Sequence, residues 1–420
     1  MMTSFLSALQ QKYIEPFPRP FWLLTAGSFV NRAGNLVMPF FVLYLTAQRG
    51  LSIPQATMII SMMGIGSLGA SFLGGVLADH IGRRTTLLLS LVASGSLMLL
   101  LGVISAIPWL IAVALLMQFF SQLARPPLAA TIADMAPPEQ RTRAYSLRYW
   151  ANNIGASIGP MVAGLLATVS YFWLFLGDGL TTLLFGAVIW QGVPETLPHK
   201  GASEPAHGTH QRSYLHTALS DPLLWCYSLL ALVFNGIYTM WQVAMPLDLR
   251  AHGFNEVYYG AFSAANAVQV VCLGLLLTGL VTRFSRTNML ALAALLLGVG
   301  LGLYAWTHSV MSYLLGVFIW TSGEIVYYPL STALIASISP IHLRGVYQGF
   351  FGTFNSLALL LAPWLGGLVL QYAGASRLWQ GCLFLGLLSA VAYLVLGQLQ
   401  QKKLFERKKI LAEADVHCSS

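Results

Sequence analysis

Charge is scarce in this chain. Asp, Glu, Lys and Arg make up 9% of its 420 residues, against about 25% in an average soluble protein. A soluble chain of this length would divide into two or three domains with polar surfaces, and there is too little charge here to wet them. Cysteine is scarce as well. Only Cys226, Cys272, Cys382 and Cys418 occur, three of them in apolar runs and none in a C-x-x-C, so neither a disulfide framework nor a zinc site follows. No G-x-x-x-x-G-K-[ST] and no H-E-x-x-H occurs, which leaves ATP hydrolysis and zinc proteolysis without a motif. The string G-x-S-x-G around Ser157 is hydrolase-like, but it lies inside an apolar run, where the strand–turn–helix setting of a nucleophile elbow is missing. An enzyme is not indicated.

Long apolar stretches are what the chain does have, with 56% hydrophobic residues. A helix that crosses a bilayer needs about 20 predominantly apolar residues. Twelve such runs are legible: 21–45, 56–78, 85–105, 108–131, 144–169, 171–192, 222–247, 257–281, 288–306, 309–335, 345–370 and 377–398. They are continuous, whereas barrel strands alternate weakly over about ten residues. The first run starts at Phe21 behind Lys12, Glu15 and Arg19; it is too long for the apolar core of a leader peptide and reads as a retained span. An even number of spans puts both termini on one side. Of the 22 lysines and arginines, seventeen fall on that side, Arg49, Arg250 and Arg377 on the other, and Arg32 and Arg125 within spans. The basic side is expected to be cytoplasmic. The net charge of +8 is then a topology signal and calls for no nucleic-acid partner. Short loops and the absence of any N-x-[ST] sequon fit a bacterial inner membrane.

The chain repeats itself at an offset of 203 residues: Arg83 meets Arg286, Pro126 meets Pro329, Pro137 meets Pro340, Arg141 meets Arg344, Asn152 meets Asn355, Pro160 meets Pro363 and Gly164 meets Gly367. These residue types set backbone shape and loop charge. The expected organisation is an all-α membrane protein of two pseudo-symmetric six-helix bundles, 1–192 and 222–398. A polar linker, 193–221, joins them and a basic tail, 399–420, follows. His199, His207, His210 and His216 make the linker histidine-rich; a flexible linker explains them more simply than a metal site.

Between the second and third runs stands "GGVLADHIGRRTTLLL", residues 74–89. It resembles the signature loop of the major facilitator superfamily, with Gly75, Asp79, Gly82, Arg83 and Arg84 on the motif positions and His80 where the family has arginine. The resemblance covers essentially the whole chain and implies alternating access around a site near the midplane. It implies gating contacts as well: Asp79 facing the positive end of span eleven near Arg344, and Arg83 pairing with Asp134. In span five, Gly155, Gly159 and Pro160 form G-x-x-x-G-P. Small residues four apart let helices approach closely and the proline bends the helix. The stretch resembles the motif of the superfamily's antiporters, which favours export over uptake.

Four charges lie inside apolar runs: Arg32, Arg125, Asp178 and Glu324. Each costs about 2.5–3.5 kcal/mol on insertion scales, and such residues are functional candidates by default. In this superfamily spans one, four, seven and ten line the cavity. Each carries a polar face here: Arg32 and Asn35; Gln118, Gln122 and Arg125; Asn235, Tyr238 and Gln242; Glu324 with Tyr327 and Tyr328. Trp241 and Trp320 add aromatic surface for a cationic or amphiphilic cargo. Span six is usually peripheral, which makes Asp178 an intramembrane partner for Arg32. Glu324 is expected to carry the coupling proton, with Arg125 biasing its release; a static hydrogen-bonding role is the competing account. "GEIVYYP" and "YWANNIG" resemble the drug:proton antiporter branch. Three departures stand out: Gln118 near the branch's usual span-four arginine, Arg148 where some members have an acid, and no acid near Gln242.

The sequence therefore points to a monomeric, proton-coupled exporter of small amphiphilic molecules, with no cofactor beyond the coupling proton. Its near rival is an importer of metabolites such as organic anions, for which Arg32 and Arg125 are suited. A non-transporting sensor or enzyme is the distant one.

Overall fold

The structure is a computed structural model. It describes residues 17–137, 140–197, 219–281, 284–340 and 343–418; of residues 68, 71, 72, 141, 142, 146, 275, 276, 278–281, 344, 345 and 400–418 only the backbone is described. The linker histidines lie outside the described residues.

The described residues form fifteen α-helices and no strand. They are α1 (Arg19–Ala33), α2 (Val37–Leu43), α3 (Ile53–Ile81), α4 (Arg83–Val103), α5 (Ile107–Leu123), α6 (Arg125–Met135), α7 (Arg141–Val169) and α8 (Phe172–Gly192), then α9 (Pro222–Val243), α10 (Met245–Ala251), α11 (Glu256–Val281), α12 (Arg286–Gly302), α13 (Val310–Ile338), α14 (Arg344–Ala373) and α15 (Ala375–Cys418). Three pairs, α1/α2, α5/α6 and α9/α10, are single spans broken in two, so the helices string into twelve rods. Nine rods among the described residues are long and apolar enough to cross a bilayer.

Proline opens many of these helices. Pro20, Pro54, Pro108, Pro126 and Pro246 stand at the first or second position of α1, α3, α5, α6 and α10, where the missing N–H would have no partner anyway. A capping box starts α3: Gln55 Oε1 accepts from the Ser52 N–H at 3.0 Å. Gly82, at φ 102°, is the single residue that turns α3 into α4. The internal repeat is visible in the backbone. Arg83 and Arg286 each begin a helix, as do Arg141 and Arg344, and Pro160 and Pro363 each lie inside one. The stretch expected as a basic tail continues the last span, with α15 helical to Cys418; its Lys, Glu, Leu, Gln and Ala content is strongly helix-forming.

The chain packs as two compact units. The first comprises Met1–Gly208, Met240–Val271 and Leu359–Tyr372; the second comprises Thr209–Thr239, Cys272–Ala358 and Ala373–Ser420. In the first, α1 lies against α7 and α8, α4 against α5 and α8, and α3 against α5. Gly155 and Gly159 make the α1/α7 contact close: a Cβ on Gly155 would stand 2.8 Å from the Phe29 carbonyl oxygen, and one on Gly159 3.0 Å from that of Ala33.

The far end of the first unit, opposite the linker, is sealed by segments from both sequence halves. A Cβ on Gly367 of α14 would run into Thr57 of α3, and one on Gly260 of α11 into the Pro160 carbonyl of α7, beside Gly164. The 203-residue offset that relates Gly164 to Gly367 also relates Thr57 to Gly260, so one contact is made twice. Ser61 Oγ accepts the Trp364 N–H at 2.9 Å, and the Tyr171 hydroxyl donates to Glu256 at 3.1 Å.

In the second unit α12 packs against α13 and α15. Gly298 and Gly386 bring α12 and α15 together; a Cβ on Gly298 would stand 2.8 Å from Gly386 Cα. Trp320, Trp379, Tyr304 and Tyr313 form an aromatic core there, each fully buried.

Candidate functional site

Within the second unit, α9, α13 and α14 bring five polar side chains together. The Tyr238 hydroxyl donates to Glu324 Oε1 at 2.9 Å, and the Tyr328 hydroxyl donates to Asn235 Oδ1 at 3.2 Å. Asn235 Nδ2 donates to Asn355 Oδ1 at 3.0 Å. The Tyr238 and Tyr328 rings meet edge-on, with centroids 5.9 Å apart. Helical spacing explains the cluster: Asn235 and Tyr238 are three apart on α9, and Glu324 and Tyr328 four apart on α13. Glu324 is half-buried and Tyr328 exposed. A carboxyl so placed can be reached by water and is held by a phenol, a neutral donor able to serve both of its protonation states.

Two expected wall residues are not available to a cargo. Trp320 is fully buried and its Nε1–H donates to the Tyr304 hydroxyl at 3.2 Å. Tyr327 is 1% exposed and stacks on Phe234 at 3.5 Å. Both face the interior of the unit, and packing accounts for them. Asn355 was absent from the expected site, although the repeat had singled it out as the counterpart of Asn152.

The first unit holds Arg32, Asn35, Gln118, Gln122, Arg125, Asp178, Trp241 and Gln242. Arg32, Arg125 and Gln242 are exposed, Gln122 and Trp241 buried. Gln118 Nε2 donates to Ser67 at 3.2 Å, and Trp241 lies 6.1 Å from the Tyr259 ring. Asn35 Oδ1 is buried without a partner. Asp178 lies in the field of Arg32, the partner expected for it, and also caps a helix. Its Oδ2 accepts the N–H groups of Leu36 and Val37, both at 3.1 Å, and thereby caps α2 where span one breaks. The Val37 N–H would otherwise be an orphan at a helix N-terminus in an apolar interior, while the Leu36 N–H also donates to the Gly34 carbonyl at 2.9 Å.

The signature loop is anchored inside the first unit. Arg83 forms an ion pair with Asp134 and donates to the Ala130 carbonyl, and Arg84 donates to the Trp190 carbonyl. Asp79 is exposed, and the Arg344 side chain lies outside the described residues. Close helix approach falls to Gly74, where a Cβ would run into the Leu123 carbonyl, while one on Gly75 would meet open space. Glu195, expected to be linker, caps α4: Oε1 accepts the Arg83 N–H at 2.9 Å and Oε2 the Arg84 N–H at 3.1 Å. Partial burial raises its pKa, but the N–H donors of Leu197, Arg83, Thr196 and Arg84 outweigh that and hold it below the usual carboxylate value. A depressed carboxylate stabilises the fold above its unfolded pKa of about 4.3, and the contribution is lost as pH falls through the folded value. Glu195→Ala is expected to destabilise the loop by about 0.5–2 kcal/mol at neutral pH. The gap in thermal midpoint from the parent should begin to narrow once the pH falls below about 4.3 and go on narrowing with further acidification; a gap that does not narrow at any acid pH would contradict the cap.

Comparison with known proteins agrees with this architecture. Residues 21–363 match the model of the Major Facilitator Superfamily. An uncharacterized MFS-type transporter of Bacillus subtilis, YqjV, is 26% identical over 372 residues, which cover 85% of this chain and 87% of the relative. A Na(+), Li(+), K(+)/H(+) antiporter of Planococcus maritimus is 25% identical, covering 80% and 85%. The multidrug resistance protein MdtH of Aeromonas salmonicida is 23% identical, covering 94% and 98%. Among solved structures, a POT family transporter in complex with 5-aminolevulinic acid superposes with a TM-score of 0.77 at 16% identity, over 92% of this chain and 96% of that one. The signature loop, the doubled six-span architecture and the family match converge: this chain belongs to the major facilitator superfamily and is a multi-pass membrane transporter, not an enzyme.

Proposed function

We propose that the protein is a proton-coupled exporter of small amphiphilic molecules that works by alternating access in a bacterial inner membrane, as a monomer with the linker side in the cytoplasm. The observation that carries this reading is Glu324, a half-buried intramembrane carboxyl held by the Tyr238 hydroxyl at 2.9 Å. An acid at this place, reached by water in one state and closed off in another, is suited to take up and release a proton as the transporter opens and closes. A proton moving down 100 mV releases about 2.3 kcal/mol. Relatives named as a cation/proton antiporter and a multidrug resistance protein support antiport and export. The Gly155/Gly159/Pro160 motif, which packs α7 against α1, supports them too.

Everted membrane vesicles test the direction. On energisation they are expected to accumulate a fluorescent amphiphile and to release it when a protonophore collapses the gradient. Accumulation that ignores the protonophore would reject proton coupling. Accumulation only by right-side-out cells would reject export in favour of the importer.

A further inference from the structure

The hydrogen bonds around Glu324 have directions, and the directions fix what a cargo must bring. The carbonyl of Ala231 can only accept, so the Asn235 side-chain atom that meets it at 2.8 Å is the amide nitrogen. The same nitrogen spends its second proton on Asn355 Oδ1 at 3.0 Å. The other atom of that amide is then the oxygen, an acceptor. The Tyr328 hydroxyl, 3.2 Å from it, must be the donor. Asn235 is buried, and turning its amide over would set oxygen against oxygen at the Ala231 carbonyl.

A tyrosine hydroxyl has one proton. That of Tyr328 is spent on Asn235, and that of Tyr238 on Glu324 Oε1. Tyr328 is nevertheless within reach of a ligand. It is 39% exposed and sits in the field of Glu324, one turn earlier on α13. Toward an arriving molecule Tyr328 therefore offers lone pairs and no proton. Glu324, when ionised, is likewise an acceptor only. A ligand that cannot donate leaves these oxygens unmet where unmet polar groups are costly. Positive charge alone is then not the criterion. A quaternary ammonium carries the charge that Glu324 attracts but has no N–H. A protonated primary or secondary amine carries both, and N–H bonds to a charged oxygen are the stronger kind.

We infer that Tyr328, its proton committed to Asn235, and Glu324 together read N–H donors on the cargo, so that protonated primary and secondary amines are carried in preference to quaternary cations and to molecules that only accept. Asn235 and Asn355 are the positioning residues of this selection. The inference names the cargo of the proposed exporter and rests on that reading. Purified full-length protein in a neutral detergent is titrated calorimetrically at neutral pH with three ligands. They are phenylbutylamine, its N,N,N-trimethyl derivative and the acceptor-only ketone benzylacetone. The amine is expected to bind at least about tenfold more tightly than the quaternary ion, the scale of a hydrogen bond to a charged group. Tyr328→Phe should cut that preference severalfold. Asn235→Leu, close in shape, releases the Tyr328 proton and should improve ketone binding about threefold or more, a gain that a misfolded protein would not show. Combining Asn235→Leu with Tyr328→Phe should abolish the gain, because the released proton is gone.

Equal affinity for the amine and the quaternary ion would overturn the inference, and so would a preference of full size in Tyr328→Phe. Ketone binding that fails to improve in Asn235→Leu, or that improves equally without the Tyr328 hydroxyl, would overturn it too. The titration uses no gradient, so its outcome is separate from that of the coupling scheme. Intact amine selectivity in a protein whose vesicle transport ignores a protonophore would condemn the coupling and spare the selection.

Discussion

Glu324→Gln is expected to lower gradient-driven accumulation in everted vesicles about 100-fold or more, with the protein still folded and inserted. Glutamine has the size of glutamate and still offers Tyr238 an acceptor oxygen, so the hydrogen bond at 2.9 Å and the ring contacts around it persist. What disappears is the proton. A 100-fold loss corresponds to about 2.7 kcal/mol, close to the roughly 2.3 kcal/mol that one proton gains across 100 mV. The variant should still bind cargo and still exchange labelled for unlabelled cargo without a gradient, because exchange needs motion and a site but no net proton. Loss of exchange together with accumulation would mean a structural residue, and full accumulation would remove Glu324 from the coupling path. Tyr238→Phe should fall between the parent and Glu324→Gln, since it removes a donor and leaves the carboxyl.

Gly260→Val should impair turnover by a different route. The position has no room for a side chain, because any Cβ there meets the Pro160 carbonyl. Overpacking of this kind costs about 1–3 kcal/mol, which changes the balance between sealed and open far ends about 5- to 150-fold. Transport is expected to drop accordingly, with binding at the Glu324 cluster retained. Gly367→Val should reproduce the defect, since Thr57 against Gly367 is the same contact under the 203-residue offset. If either valine variant turned over normally, the far-end seal would not be one of the states the transporter visits.

The architecture was legible because membrane solvent leaves few choices. Twelve apolar runs had to be helices, since no other open structure satisfies its backbone in lipid, and paired arginines and prolines marked both halves. Glu324, Tyr238, Asn235 and Tyr328 were legible as a polar face at helical spacing. The remainder depended on what faces what. Trp320 and Tyr327 share the helix of Glu324 but turn into the aromatic core, and an aromatic-rich run cannot say which of its sides is lined by partners. Asp178 was read as a partner of Arg32, whose field it does feel, whereas its backbone partners at Leu36 and Val37 leave no mark in a sequence. Glu195 lay in a polar stretch where a cap and a tether look alike.

The carboxylate of Asp178 has a mechanical corollary. Its grip on the two amides that open α2 fastens the second part of span one to α8, so sliding one along the other would strand the Val37 N–H in an oily environment. α1 is tied to α8 as well, with Asn31 Nδ2 donating to the Thr182 hydroxyl at 2.8 Å, so α8 fastens both pieces of the broken span.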